Sequence, residues 1–314
     1  MKTKKNPHRE FRTIKTKSLE WVDLCNPTRQ NMKILQKRFS FHDLDIEDCL
    51  SPMHVSKVDN YEHYIFMVLL FPVYKKSNSE IISTEIDFFI GKDYVITIHK
   101  SEIQTMDKFF NKCSESKVIQ KELFAKNPAK LIYHVLDQLF AYEFPMIEHI
   151  HHDIKLLERK IFNGYERETV HDILYLKRNI INYRKAIQLH KGMIRRFIIK
   201  AETFFPISPY KVYFDNLIEH TKDIWDTLEI QKENIDALHA TNESLISFRL
   251  NDIMKFLTII SVIMLPGALI AGIFGVNALH TPIIGQPNDF WMILGIMVSV
   301  SLTMILIFKR KKWL

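Results

Sequence analysis

One stripe of polar and small residues in an otherwise apolar segment has the side-chain types that could line a path for ions. Steps of three and four from Asn251, the spacing of one helix face, collect nearly every small or polar residue of that segment. The stripe consists of Asn251, Met254, Thr258, Ser261, Leu265, Ala268, Gly272 and Gly275. In membrane helices, small residues mark contacts between neighbouring helices. The alternative is that several copies of the helix surround a central axis. The pattern alone does not distinguish a tight helix bundle from a pore.

Two long apolar runs indicate the elements that hold this stripe. No Asp, Glu, Lys or Arg occurs in residues 256–276 or 290–308. At about 1.5 Å per residue, each run would extend roughly 28–32 Å as a helix, which matches a bilayer core. We therefore predict two membrane spans near the C-terminus. That prediction excludes a freely soluble or a secreted protein.

The net charge of +7 is concentrated near the two ends of the chain. The basic cluster Lys309-Arg310-Lys311-Lys312 directly follows the second apolar run, as the positive-inside rule requires of a cytoplasmic anchor. We expect a multi-pass protein of the cell (inner) membrane with both termini in the cytoplasm. No nucleic-acid fingerprint accompanies the charge, so we expect no nucleic-acid partner.

The rest of the chain divides into two regions by its pattern. Residues 1–127 predict a cytosolic α/β domain, with a buried strand at 64–74 that breaks near Pro72 and a hairpin at 82–99. Residues 128–252 predict a helical and stalk region, in which Glu168 to Lys200 form one helix, and residues 253–314 the two-helix membrane domain. The fold class is thus α+β.

The absence of helix-breaking residues predicts a long stalk helix. Neither glycine nor proline occurs between Pro209 and Pro266, so a helix from Pro209 to Gly275 would be about 100 Å long. Such a helix needs partners along its apolar face, which consists of Ile224, Leu228, Ile235 and Leu238. The partners are other helices of the chain or other copies of it.

Several segments together resemble the CorA-type divalent cation channels. The segment LNDIMKFLTIISVIMLPGALIAGIFGVN resembles their pore helix, with Gly275-Val276-Asn277 in place of the Gly-Met-Asn signature. The likeness includes the second span with its KRKKWL tail, and WVDLCNPT, FHDLDIEDCL and DFFIGKDYVITIHK in the first domain. It therefore spans nearly the whole chain.

The resemblance implies a homopentameric funnel in the lipid bilayer with the first spans around the pore. Gly275, Val276 and Asn277 would then select hydrated ions at the outer mouth. Asn251, Met254, Leu257, Thr258, Ser261, Leu265, Ala268 and Gly272 would line or gate the pore. Magnesium uptake driven by the membrane potential is the first expectation. Zinc, cobalt or nickel transport, including a proton-coupled mechanism, stays open because Val276 replaces the usual methionine.

The resemblance also implies regulatory metal binding on the stalk, at Asp215, Asn216 and Glu219. His280 and Asp289 are further candidates in the outer loop. No cofactor is expected besides the transported or regulatory divalent cation, Mg²⁺. The sequence lacks hydrolase, zinc-protease, dinucleotide and phosphate-loop motifs, so we expect no enzyme. A membrane-anchored cytosolic scaffold is the remaining alternative.

Overall fold

A computed structural model describes residues 11–51, 55–75, 77–124, 127–276, 282–311 and 313. The chain forms two compact units, residues 1–239 and residues 240–314. The first unit contains a mixed β-sheet with helices on both faces. The second contains the apolar part of the longest helix and the C-terminal helix.

Six strands form the sheet of the first unit in the order β1-β2-β6-β5-β4-β3. They are β1 (Arg12–Lys15), β2 (Glu20–Cys25), β3 (Lys57–Asn60), β4 (Ile65–Lys75), β5 (Glu80–Ile90) and β6 (Tyr94–His99). All neighbouring pairs are antiparallel except β2 with β6. The predicted hairpin is confirmed, since β5 and β6 are joined at Gly91, whose N–H donates to the Tyr94 carbonyl at 3.0 Å.

The predicted break of the buried strand near Pro72 is wrong. β4 continues through Pro72, which pairs with Ser83 of β5, and ends at Lys75. Proline lacks an N–H and is tolerated where a strand has an open side. β3 pairs only with residues Ile65–Val68 of β4, so beyond that point β4 has a strand on one side only. A missing donor on the open side therefore breaks no ladder bond.

Nine α-helices lie within the described residues. They are α1 (Arg29–Phe39), α2 (Asp43–Leu50), α3 (Gln104–Glu115), α4 (Lys117–Leu123), α5 (Pro128–Phe162), α6 (Thr169–Ile187), α7 (His190–Ala201), α8 (Lys211–Phe274) and α9 (Asp289–Arg310). The first turns of α1 and α5 use local side-chain caps: the side chain of Thr28 accepts from the Asn31 N–H before α1, and that of Asn127 from the Ala129 N–H before α5. Pro128 then occupies the first turn of α5, where its missing N–H costs nothing.

Each face of the sheet has its own hydrophobic core. On one face, α1 and α2 cover a cluster that includes Met32, Phe41 and Phe89. On the other face, α3, α5 and α7 contribute to a larger cluster centred on Trp21 and Phe140. Strands with both faces covered are apolar throughout, which explains the nearly unbroken apolar run of β4.

The helical region differs from the sequence expectation in one place. The run expected as one helix from Glu168 to Lys200 is two helices, α6 and α7, separated near Gln188. The break brings His190 into the core, where its Nε2 lies 2.5 Å from the carbonyl oxygen of Leu70. Its ring packs against Phe140, so Nε2 has a hydrogen-bond partner while the ring carbons contact the apolar core. Burial lowers the pKa of His190 to about 4, so the ring is neutral near pH 7.

The long stalk helix is present as one element, α8, which follows a short 3-10 turn at Ser208–Tyr210. Ile224, Leu228 and Ile235 are buried within the single chain. Packing against other helices of the same chain therefore covers this apolar face. This was one of the two alternatives that the sequence left open. Gln231 adds a polar contact, since its Nε2 donates to the carbonyl of Ile147 in α5 at 3.2 Å.

Candidate ion pathway

The predicted stripe of α8 is exposed along its whole length in the single chain. Exposed members include Met254 (64%) and Leu265 (71%), and the off-stripe Leu257 is 57% exposed. All other members are also exposed: Asn251, Thr258, Ser261, Ala268, Gly272 and Gly275. Within the second unit, α9 therefore does not cover the small and polar residues of α8.

The opposite side of α8 is the side that packs within this unit. At about 100° per residue, its least exposed positions lie on the far side of the helix from the stripe. These positions are Ile259, Val262, Ile263, Pro266, Gly267, Ile270 and Phe274. Gly267 marks the close approach, because a Cβ there would lie 3.7 Å from the Cε atom of Met297 in α9. One face of α8 thus packs against α9, and the stripe on the opposite face remains exposed.

The hydroxyl groups of the stripe are satisfied inside the helix. Thr258 Oγ1 donates to the Met254 carbonyl at 2.7 Å, and Ser261 Oγ donates to the Leu257 carbonyl at 2.9 Å. Bonds of this kind let a hydroxyl face an apolar environment without a partner on another helix. The hydroxyl oxygens retain acceptor capacity toward a hydrated ion.

The helix ends where the candidate selectivity residues begin. α8 ends at Phe274, and the Gly275 N–H still donates to the Ala271 carbonyl at 2.9 Å. Val276 follows and is exposed. The last carbonyls of a helix have no partner within it, so this end presents oxygen atoms. Asn277 and His280 lie outside the described residues.

Asp289 lies in the first turn of α9, and its carboxylate forms hydrogen bonds that stabilise the preceding turn. Its Oδ2 accepts from the Gly285 N–H at 3.1 Å, and its Oδ1 accepts from the Phe290 N–H at 2.7 Å. Gly285 has φ +94°, a left-handed conformation that favours glycine. The carboxylate that was a candidate outer-loop ligand thus makes structural bonds to the turn.

The candidate regulatory residues lie on the outer side of α8. Asp215, Asn216 and Glu219 are all exposed, while Phe214 and Leu217 between them face the core. Within the part of the chain that the structure describes, no three His, Cys, Asp or Glu side chains are close enough to hold a metal ion.

The sequence reasoning missed a carboxylate cluster around Lys57. Its Nζ lies 2.6 Å from Asp48 Oδ2 and 3.1 Å from Asp59 Oδ2. Asp45 is fully buried beside it and accepts from the hydroxyls of Tyr61 and Tyr64 at 2.9 and 2.7 Å. Asp45 and Asp48 look like ordinary charges of a helix in the sequence, because only the tertiary fold brings β3, with Lys57 and Asp59, against α2.

The fold and the candidate pathway together define a class of protein. An α/β domain is followed by a helix that continues into an apolar segment, and two helices, α8 and α9, are long and apolar enough to cross a membrane. An exposed stripe of small and polar residues runs along the first of them. This combination is that of a membrane transporter.

Comparison with known proteins identifies the family. The sequence profile of the CorA-like Mg²⁺ transporter proteins matches residues 16–310, so the chain belongs to that family. The "Cobalt/magnesium transport protein CorA" of Thermotoga maritima is 29% identical, over 97% of this chain and 90% of the relative. The complete CorA magnesium transporter structure from Methanocaldococcus jannaschii superposes with a TM-score of 0.81 at 22% identity, covering 95% of this chain and 92% of that one. The predicted family, fold class and lack of enzymatic activity are confirmed.

Proposed function

We propose that this protein assembles as a homopentamer in the cell membrane and conducts divalent cations inward, with magnesium as the main ion. The observation that carries this proposal is the exposure of the α8 stripe on the side opposite α9. The amide of Asn251 is unfavourable against lipid, and small residues mark contacts between membrane helices, so the stripe is suited to further helices or to water. Five copies of α8 around an axis supply both.

The proposed path runs along the stripe from Asn251 to Asn277. Met254, Leu257 and Leu265 form apolar constrictions, which close a pore by expelling water. Magnesium gives up its water reluctantly, so a ring of Asn277 amide oxygens would hold the ion through its hydration shell. With both termini in the cytoplasm, inward movement of a doubly charged ion gains about 4.6 kcal/mol per 100 mV.

The name of the Thermotoga relative includes both cobalt and magnesium, which supports a divalent cation as the transported ion. Purified protein in liposomes tests the choice of ion, with magnesium, cobalt, nickel and zinc supplied singly, with and without a pH gradient. We expect magnesium flux that follows the membrane potential and does not require the pH gradient. Zinc flux that depends on the pH gradient, without magnesium flux, would instead establish the alternative of proton-coupled zinc transport.

Two separate single-cysteine variants test whether ions follow the stripe. Ser261→Cys places a thiol on the stripe, and Ile260→Cys places one on the adjacent exposed position outside it. The native cysteines Cys25, Cys49 and Cys113 are buried and contribute little background. A cationic thiol reagent should stop flux through the first variant and leave the second unaffected. Equal inhibition of both, or of neither, contradicts a path along the stripe.

Asn277 variants test the selectivity ring. Asn277→Gly should leave a pentamer by native mass spectrometry that transports poorly, because glycine tolerates the same backbone but has no amide. Asn277→Asp should bind cations more tightly and discriminate less, since carboxylates replace dipoles by charges. Unchanged flux and selectivity in both variants would remove Asn277 from the mechanism, and a monomer in lipid nanodiscs would favour the scaffold alternative.

A further inference from the structure

Glu143 of α5 is a buried acid without a counter-charge. The residue is 1% exposed, although it lies in a helix that is otherwise amphipathic. Among the described residues, no donor forms a hydrogen bond with either of its carboxyl oxygens. A carboxylate in such a place would be strongly unfavourable, and a buried group of this kind neutralises instead.

The surroundings of Glu143 join three helices. From α6, the hydroxyl of Tyr183 donates to the backbone carbonyl of Glu143 at 2.9 Å. One helical turn along α5, the carbonyl of Ile147 accepts from Gln231 of α8. The Oε1 atom of Gln231 is buried and, within the described part of the chain, has no donor. A protonated carboxyl needs an acceptor, and Gln231, which bonds the carbonyl one turn along α5 from Glu143, has a buried acceptor in Oε1.

The charged groups nearby are neutralised by one another. Tyr183 is the titratable side chain that α6 places against Glu143, and burial raises its pKa, so it stays neutral. Arg184 of α6 forms an ion pair with Glu229 of α8, and its guanidinium lies 4.7 Å from the ring centre of Trp225. Within the described residues, no cation balances an ionised Glu143, and burial raises the pKa of its carboxyl well above the ordinary range.

We propose that Glu143 is a proton-binding site that holds the first part of α8, residues 211–239, against α5 and α6, and that loss of this proton releases the contact. Ionisation places a charge in an apolar layer, and the charge becomes solvated only when the helices separate. Release therefore needs no ligand other than hydroxide or water as the proton acceptor. The inference concerns the first unit alone and does not depend on the proposed transport.

The pH dependence follows from the direction of the shift. The pKa of Glu143 is raised in the closed state and ordinary, about 4.3, once the contact opens. The stabilisation by the proton is complete below the ordinary value and is lost as pH rises toward the raised value. Across that interval, the opening equilibrium increases about tenfold per pH unit.

Hydrogen exchange of the full chain in detergent between pH 6 and pH 9 measures this opening. We expect protection factors for residues 211–239, corrected for the intrinsic exchange rate, to fall about tenfold per pH unit up to the raised pKa. Glu143→Gln keeps the shape of the side chain and removes the titration, so its protection factors should not follow this slope. Glu148→Gln is the matched control, since Glu148 is exposed on the same helix, and it should behave as the natural protein.

The infrared spectrum gives a second readout. Asp87 is also partly protonated near pH 7, so the readout is the difference between the spectra of the natural protein and of Glu143→Gln. The carbonyl stretch of a protonated carboxylic acid should be present in this difference near neutral pH and disappear at alkaline pH. If Glu143→Gln does not fold, Glu143→Leu replaces it in both measurements. Equal slopes in the Glu143 variant and the natural protein, or a difference spectrum without this band, overturn the proposal.

Discussion

Asp23 of β2 is the carboxylate whose removal should damage the fold most. It is fully buried, it forms an ion pair with Arg12 of β1, and its Oδ1 lies 3.4 Å from His99 Nε2. Thr97 Oγ1 donates to the same oxygen at 2.5 Å. The bonds to His99 and Arg12 lower the pKa of Asp23 despite its burial, and those to Asp23 raise the pKa of His99. A buried anion that pairs with Arg12, accepts from Thr97 and lies beside His99 is therefore built into the sheet.

Asp23→Asn keeps the volume and removes the charge, so His99 loses its carboxylate and Arg12 retains only Asp107, at 2.7 Å. Breaking a buried pair in this way costs about 3–5 kcal/mol of unfolding free energy. For a unit of this size, about 2–4 °C of melting temperature corresponds to each kcal/mol, so we expect a decrease of roughly 6–20 °C. Circular dichroism melting of the full chain in detergent measures it.

Asp172→Asn is the matched control for this prediction. Asp172 pairs with Lys160 at 2.8 Å, but both side chains are about half exposed. Water already solvates such a pair, so its loss should change the unfolding free energy by no more than about 1 kcal/mol. The reasoning about burial is refuted if the two Asp→Asn substitutions lower the melting temperature equally, or if Asp23→Asn has no effect.

Three further changes test other parts of the structure. Burial raises the pKa of Asp87 to about 7, so the unfolding free energy should fall by about 1.4 kcal/mol per unit between pH 5 and pH 7, and chemical denaturation of Asp87→Asn should lack this slope. Leu228→Ala, at a fully buried position of α8, should cost about 2–5 kcal/mol in the same assay, whereas Ile230→Ala, at an exposed position, should cost under about 0.5 kcal/mol. Gly267→Leu should lower the melting temperature by forcing α8 away from Met297, but Gly272→Leu should leave it unchanged and reduce ion flux in liposomes. Equal melting temperatures for the two glycine variants would contradict the assignment of the two faces of α8.

The sequence by itself determined the features that depend on local pattern. The charge-free runs predicted the two candidate spans, and the absence of glycine and proline predicted α8 nearly to its ends. The alternation and turn residues around Gly91 predicted the hairpin of β5 and β6. These predictions agree with the structure because hydrophobic periodicity, helix breakers and turn residues depend only on residues close together in the sequence. The stripe of small and polar residues also follows from period alone, although its role as an ion path remains a prediction.

Only the tertiary structure decided what depends on distant partners. Pro72 looks like a strand breaker, yet β4 passes through it because β3 has already ended. The helix expected up to Lys200 breaks so that His190 can reach the carbonyl of Leu70, a residue far away in sequence. Glu143 looks like one of many helical acids until α6 and α8 bury it. A residue's burial and its counter-charge are set by which elements pack together, and no local pattern contains that information.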